Sequence, residues 1–323
     1  MSPLSDLDRR SARRAGHGAA AIAVLAWCLV VVGALVRAHG AGLACPDWPL
    51  CLGDVVPEFD LKIAFEWGHR ALAGAVSIGL VGLAAYMLAN RELRAEFRAS
   101  LGWVFAILGV QIVLGALTVL LGLAPWTVTA HLLTGNAFVV ALLWLSRGLL
   151  ESARPSPVPR AALPGASAVL AALGAVLVVV QLALGGLVAS HYAGLACETF
   201  PLCNSDSLAP TLSGPIGLHV LHRLNAYLVC AAYAALAWRM RSSARTRRLA
   251  LVALGLVLLQ GVVGVANVLL KLPVEITALH SALASALALL AALIVREVWL
   301  ARTAAQESVE LSATGRQALE GMR

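Results

Sequence analysis

Residues Gly33–Cys51 read GALVRAHGAGLACPDWPLC, and residues Gly185–Cys203 read GGLVASHYAGLACETFPLC. In one register the two share a Leu-Val pair, a histidine (His39 and His191), the run Ala-Gly-Leu-Ala-Cys and the ending Pro-Leu-Cys. The match continues outward. EWGHRALAG (Glu66–Gly74) aligns with HVLHRLNAY (His219–Tyr227), and QIVLGALTVLLGLAPWTVTAH (Gln111–His131) aligns with QGVVGVANVLLKLPVEITALH (Gln260–His280). Between the copies lies ESARPSPVPR (Glu151–Arg160), a Pro-Ser composition that cannot continue a helix. The chain therefore reads as two repeated units, 1–152 and 153–323.

Hydrophobic residues make up 60% of the 323 positions and charged ones 13%, with a mean hydropathy of +0.85. Soluble domains run about 45–50% apolar and about 25% charged, so the solvent for most of this chain is lipid. Apolar segments fall near 18–38, 67–89, 101–122, 127–150, 166–189, 216–238, 248–270 and 276–299. Each is long enough to cross a hydrocarbon core of ~30 Å at ~1.5 Å per residue. The expected fold is an all-α membrane protein, with eight transmembrane helices arranged as two pseudo-symmetric four-helix bundles. Four helices per unit bring each copy back to its starting side, so the repeats are related by an axis along the membrane normal.

The net charge of +7 is a topology signal rather than a mark of nucleic-acid binding. Of the 24 Lys and Arg residues, only Arg37, Lys62, Arg70, Arg223 and Lys271 fall at the side that carries the cysteine stretches. The positive-inside rule then expects a multi-pass protein of the cell membrane, with both termini cytoplasmic and the Cys loops extracytoplasmic. The first apolar run is too long for the core of a cleavable leader. The internal recurrence of Gly-Leu-Ala-Cys argues against a lipoprotein cleavage box.

This topology places His69 and His131 near the outer ends of the second and fourth spans, and His222 and His280 at the same ends of the sixth and eighth. Ionisable groups inside a membrane are costly and point to function. One such histidine alone reads most simply as a hydrogen-bonding partner for a neighbouring helix. Two pairs, repeated between the units, read as metal ligands. Haem iron takes axial imidazoles from opposite faces, and bundle cores build such sites from facing helices. Zinc needs three or four convergent ligands, and each unit offers two. One haem per unit is the expectation, with iron held by His69 and His131 and by His222 and His280.

Arg70 and Arg223 directly follow His69 and His222, and Arg37 ends the first span. Two readings stay open for each: a bidentate partner for a haem propionate, or a side chain snorkelling to the interface. His39 and His191 read as interfacial polar residues. Gly74, Gly109, Gly115, Gly185, Gly255 and Gly264 read as small residues that let helix backbones approach. Cys28 and Cys230 read as ordinary small apolar residues.

The copies differ at one telling position. Glu66 stands three residues before His69, on the same helix face, and its counterpart is His219. A carboxylate beside a haem can accept or deliver protons, which suggests one unit that does chemistry and one that only holds a cofactor. His219 also competes with His222 as a ligand, although the shared His-Arg register favours His222. Cys45 and Cys51, and Cys197 and Cys203, close short loops on the side where disulfides form. Four cysteines allow three pairings, and the short separations favour Cys45–Cys51 and Cys197–Cys203.

With Glu66-x-x-His69-Arg70, His131, His222-Arg223, His280 and the twin Cys-x5-Cys loops together, the chain resembles the haem A synthase family over all eight spans. The family oxidises a methyl substituent of haem O to the formyl group of haem A for terminal oxidases, by two hydroxylations and loss of water. The resemblance implies that His69 and His131 face the substrate haem O, with Glu66 as the catalytic carboxylate. It further implies that His222 and His280 hold a resident haem b that passes electrons. The Cys pairs read first as structural staples, and the resemblance leaves a redox or haem-delivery role open for the first pair. The implied partners are a membrane enzyme that supplies haem O and an unidentified electron donor, with lipid around the spans and no nucleic acid. The competing reading is a di-haem b membrane electron-transfer cytochrome, which accounts for the histidines but not for Glu66 in one unit alone.

Overall fold

The computed structural model describes residues 5–58, 60–156, 163, 165–203, 211–241 and 243–320, the last fourteen as backbone only. Arg160 and Arg323, and the side chain of Arg316, which count among the 24 basic residues, lie outside the described residues, as does the Pro157–Arg160 end of the linker. The helices are α1 (Asp6–Ala38), α2 (Leu61–Ala89), α3 (Arg91–Leu120), α4 (Pro125–Ser152), α5 (Gly165–Ser190), α6 (Gly214–Arg239), α7 (Ala244–Leu269) and α8 (Val274–Glu320), with a 3₁₀ turn at Ala193–Leu195. All eight α-helices contain a stretch long and apolar enough to cross a membrane. The chain is a multi-pass membrane protein.

Several helices begin before their apolar spans, because capping groups rather than hydropathy set their ends. Ser5 caps α1 by accepting from the Asp8 N–H, and Asp60 caps α2 by accepting from the Ile63 N–H at 2.8 Å. Asn90 both ends α2 and caps α3, so Arg91, Arg94 and Arg98 are helical rather than in a loop. Pro125 opens α4, where its missing N–H costs nothing. At the far end α8 runs on to Glu320, well beyond the expected boundary.

Within the first unit α1 lies against α2 and α4, and α3 against α2 and α4; within the second α5 lies against α6 and α8, and α7 against α6 and α8. Between units α1 meets α8, α4 meets α5, and α4 meets α8. Exchanging α1 with α5 and α4 with α8 turns the first of these seams into the second and the third into itself, as a two-fold axis between two pseudo-symmetric bundles requires. The α1–α4 seam is close because α1 presents Ala12, Ala15, Gly16, Ala19, Ala23 and Ala26. Gly16 lies against Leu150, and its carbonyl accepts from the buried Ser146 hydroxyl at 2.8 Å.

Each apolar core fills only one end of its bundle. The first runs through Ala12–Ala26, Val76–Met87, Leu93–Val104 and Phe138–Ala153, and the second through Ala171–Val178, Val229–Met240, Ala250–Val257 and Leu287–Val298. Both lie towards the arginine-rich end. Buried ion pairs join the units there: Arg296 of α8 holds Glu151 of α4 through two bonds of 2.8 and 2.9 Å. The ends beneath the Cys loops hold the polar side chains described next, with a small apolar cluster of Cys197, Cys203 and Val220 under the second loop.

Candidate functional site

The repeated stretch forms a roof. Cys45 is bonded to Cys51 and Cys197 to Cys203, each with its Cα atoms 4.6 Å apart. Both loops contain a cis X-Pro bond at the matched positions Trp48-Pro49 and Phe200-Pro201. The glycine of Gly-Leu-Ala-Cys has a packing role: Gly42 lies against Leu123 of the α3–α4 turn, and Gly194 against Leu272 of the α7–α8 turn. An arginine from the helix below ties each roof down. Arg70 donates to the carbonyls of Cys45, Asp47 and Leu50 at 2.6–2.7 Å. Arg223 donates to the equivalent carbonyls of Cys197, Thr199 and Leu202 at 2.8–3.3 Å.

The structure gives these arginines a further role beside the two open readings. Neither snorkels freely, and both Nη groups of Arg70 are taken: Nη1 by two loop carbonyls, Nη2 by the Cys45 carbonyl and by Glu66 Oε1 at 2.7 Å. The structure makes them loop clamps because a guanidinium carries enough donors to satisfy several carbonyls that a short disulfide loop cannot pair internally. Arg37 instead crosses between units, with its guanidinium 5.5 Å from the ring of Tyr192.

In the first loop Asp47 also accepts from the Leu52 and Gly53 N–H groups at 2.7 and 2.8 Å. The Gly53 amide first, then that of Leu52, holds its carboxyl below the usual carboxylate range. Its counterpart Thr199 donates its hydroxyl to the Leu202 carbonyl.

Glu66 is 4% exposed. Besides its ion pair with Arg70, its Oε2 accepts from the Cys45 N–H at 2.9 Å. The carboxylate thus joins the helix that carries His69 to the disulfide loop. In the second unit His219 takes this place, 5% exposed, with Nδ1 at 3.1 Å from the Ala193 carbonyl.

Beneath the roofs the four histidines are half-buried, and every imidazole lies in the same kind of seat. A Cβ added to Gly33 would meet His69 Cε1 at 3.1 Å; to Gly115, His131 Cε1 at 3.0 Å; to Gly185, His222 Cε1 at 3.2 Å; to Gly264, His280 Cε1 at 3.0 Å. Each seat lies on the helix preceding its histidine, so α1, α3, α5 and α7 each hold the ring offered by α2, α4, α6 and α8. This changes the reading of the glycines. Gly115, Gly185 and Gly264 serve histidines rather than backbones, and Gly33 joins them. Gly74, Gly109 and Gly255 have nothing within 4 Å of an added Cβ, so no helix approaches them. The alignment held this signal, since Gly33 pairs with Gly185 and Gly115 with Gly264, 36 or 37 residues before His69 and His222 and 16 before His131 and His280, but a glycine in a membrane span has a commoner explanation.

The rings of His222 and His280 lie 6.4 Å apart, centroid to centroid. A metal–imidazole bond of about 2 Å places the metal roughly 3 Å from each ring centre, so two rings sharing one metal sit roughly 6 Å apart. The Nδ1 atoms of His69, His131 and His280 are shielded and have no hydrogen-bond partner among the described residues. Unpaired buried polar atoms are rare in a finished interior, and these mark a site shaped for a further group. No three or more His, Cys, Asp or Glu residues converge to hold a bare ion among the described residues. Paired imidazoles without a third ligand fit haem iron. His222, not His219, is the ring that faces His280.

The profile of the cytochrome oxidase assembly protein family (COX15-CtaA) matches residues 19–294, which takes in every element of this site. The chain belongs to that family. It is 29% identical to "Heme A synthase" of Shewanella oneidensis over 294 residues, covering 78% of this chain and 87% of that one. It is likewise 29% identical to "Heme A synthase" of Methylobacterium nodulans, covering 87% and 91%. Against "Heme A synthase" of Brucella ovis the identity is 25%, covering 85% and 88%. As a family member the chain has its histidine pairs and both cysteine loops inside the matched region.

Proposed function

We propose that this protein is a haem A synthase, a membrane oxidoreductase that oxidises a methyl substituent of haem O to the formyl group of haem A for terminal oxidases. The reading is supported by the family, by the names of the relatives and by the two imidazole pairs. One observation carries it against a plain di-haem b electron carrier: at one register of two otherwise matched sites, a buried carboxylate stands beside the ligand in one unit and an imidazole in the other. A carrier of two equivalent haems has no use for that difference.

In this reading His69 and His131, in unit 1–152, face the substrate haem O, and His222 and His280, in unit 153–323, hold the resident haem b. When bound, haem b supplies one-electron transfer. Glu66, one helical turn from His69, would accept or deliver the protons that oxidation of a methyl group moves. Arg70 and the Cys45 N–H hold its carboxylate at two atoms, so it is presented to the site at a fixed position rather than as a mobile acid. The roofs exclude water from above, which keeps the proton path to this one side chain. The concentration of arginines at the opposite end supports a cytoplasmic side for both termini and an outer side for the disulfide loops. Haem O arrives from a membrane enzyme that supplies it, and the two hydroxylations take their oxygen from an external oxidant and draw on an electron donor.

Pigment analysis tests the proposal. After expression with ample porphyrin supply, the purified protein should contain haem b together with haem O or haem A. Two identical haems b would favour the electron carrier, and a colourless protein would overturn the proposal altogether.

A further inference from the structure

The seats themselves are not equivalent. One helical turn before its glycine, α3 carries Gln111, α5 carries Gln181 and α7 carries Gln260. Each of these glutamines reaches across the seam to the histidine that its glycine holds. Gln260 Nε2 donates to the His280 carbonyl at 2.9 Å, and Gln181 Nε2 donates to the His222 carbonyl at 3.1 Å while lying 3.2–3.3 Å from both ring nitrogens of His222. Asn225 Nδ2 in turn donates to Gln181 Oε1 at 2.7 Å, which fixes the orientation of that amide. Gln111 Nε2 lies 3.4 Å from His131 Nε2, in a groove that Gly135 leaves open for it. In α1 the same place, one turn before Gly33, is Leu29. Across that seam the His69 ring has only the Leu29 backbone as a hydrogen-bonding neighbour, and no amide side chain among the described residues.

We infer that Gln111, Gln181 and Gln260 are positioning residues for the imidazoles, and that Leu29 in the fourth place makes His69 the one ligand built to let go. The inference rests on the proposed function and deepens it. A resident cofactor has to stay, whereas a substrate has to enter and its product has to leave. Both ligands of the resident pair, His222 and His280, are clamped by an amide. Of the substrate pair only His131 meets an amide, through a ring nitrogen at 3.4 Å rather than through its carbonyl, and the ligand without one, His69, falls beside Glu66. Groups behind a metal ligand fix its orientation and set how firmly it holds. A hydrogen bond to the carbonyl of the histidine pins the rise and rotation of its helix, and the glycine then leaves the ring little room to turn. A leucine side chain supplies bulk at the same place with neither donor nor acceptor, so the ring is left with the Leu29 backbone alone.

The test measures release of pigment from the purified full-length protein to excess apomyoglobin, with extracted pigments identifying which haem has left. Gln260→Met and Gln181→Met keep the volume but remove the amide. Haem b should leave them about ten- to a hundredfold faster, the usual penalty for losing a partner behind a metal ligand. Their low-spin spectrum should shift while helix content and thermal unfolding stay as in the parent. Leu29→Gln should slow release from the substrate unit by a similar factor. Should a glutamine variant fail to accumulate, Leu29→Gln still decides the matter, because it adds a clamp instead of removing one. Unchanged release rates in haem-bearing preparations would overturn this inference alone. Preparations without any haem would overturn the proposed function beneath it.

Discussion

Replacing Gly264 by alanine adds one methyl group to α7 and asks whether the glycine seats matter. That Cβ would stand 3.0 Å from His280 Cε1, where ordinary contact begins at 3.4 Å. The imidazole must therefore shift by about 0.4 Å, which uses up most of the roughly 0.5 Å within which a site's geometry has to be held. His280 cannot yield freely, since its carbonyl is bonded to Gln260 and its ring must keep a 6.4 Å separation from that of His222. Overpacking by one methylene-sized group costs about 1–3 kcal/mol, which corresponds to a loss of about 5- to 150-fold in haem b affinity. The assay is haem b content per polypeptide, with the low-spin optical and EPR spectra of what remains. Gly255→Ala, on the same helix with nothing within 4 Å of the new carbon, is the matched control and should keep its haem. Full occupancy with an unchanged spectrum in Gly264→Ala would refute the reasoning, and so would an equal loss in the Gly255 control.

Glu66→Gln keeps the size of the side chain and an acceptor for the Cys45 N–H, yet it cannot carry protons as a carboxylate does. Haem b should remain at the parental level while conversion of haem O stops, as pigment extraction from whole cells will show. At the other end of the bundle, Glu151→Gln leaves the Arg296 guanidinium buried without its counter-charge. Removing one member of such a pair typically costs about 3–5 kcal/mol, to be read as a lowered unfolding temperature in detergent. The Asp47 turn carries a pH signature. Its carboxyl is held below the usual range by the Gly53 and Leu52 amides, so the turn is at full strength above that range. It weakens as acidification passes through the lowered value, and amide exchange at Leu52 and Gly53 should accelerate there first.

Eight spans, their duplication and the four histidines could all be read from the chain, because a lipid solvent demands long apolar runs and a repeat shows itself by register alone. The difference between Glu66 and His219 was equally legible, since it is a difference of residue type at aligned positions. Other features needed the folded molecule. Arg70 and Arg223 looked able to meet a propionate or the interface, and only the path of the disulfide loops showed that they hold carbonyls 20 to 26 residues away in the chain. A glycine in a span carries no sign of what lies opposite it, so the seats of Gly33, Gly115, Gly185 and Gly264 emerged from the crossing of helices, while Gly74, Gly109 and Gly255 proved to face no helix at all. Periodicity and composition act along one strand of polypeptide and settle which segments span. The separation of two imidazoles, or the partner of a buried guanidinium, depends on how separate helices meet, and that is decided only in three dimensions.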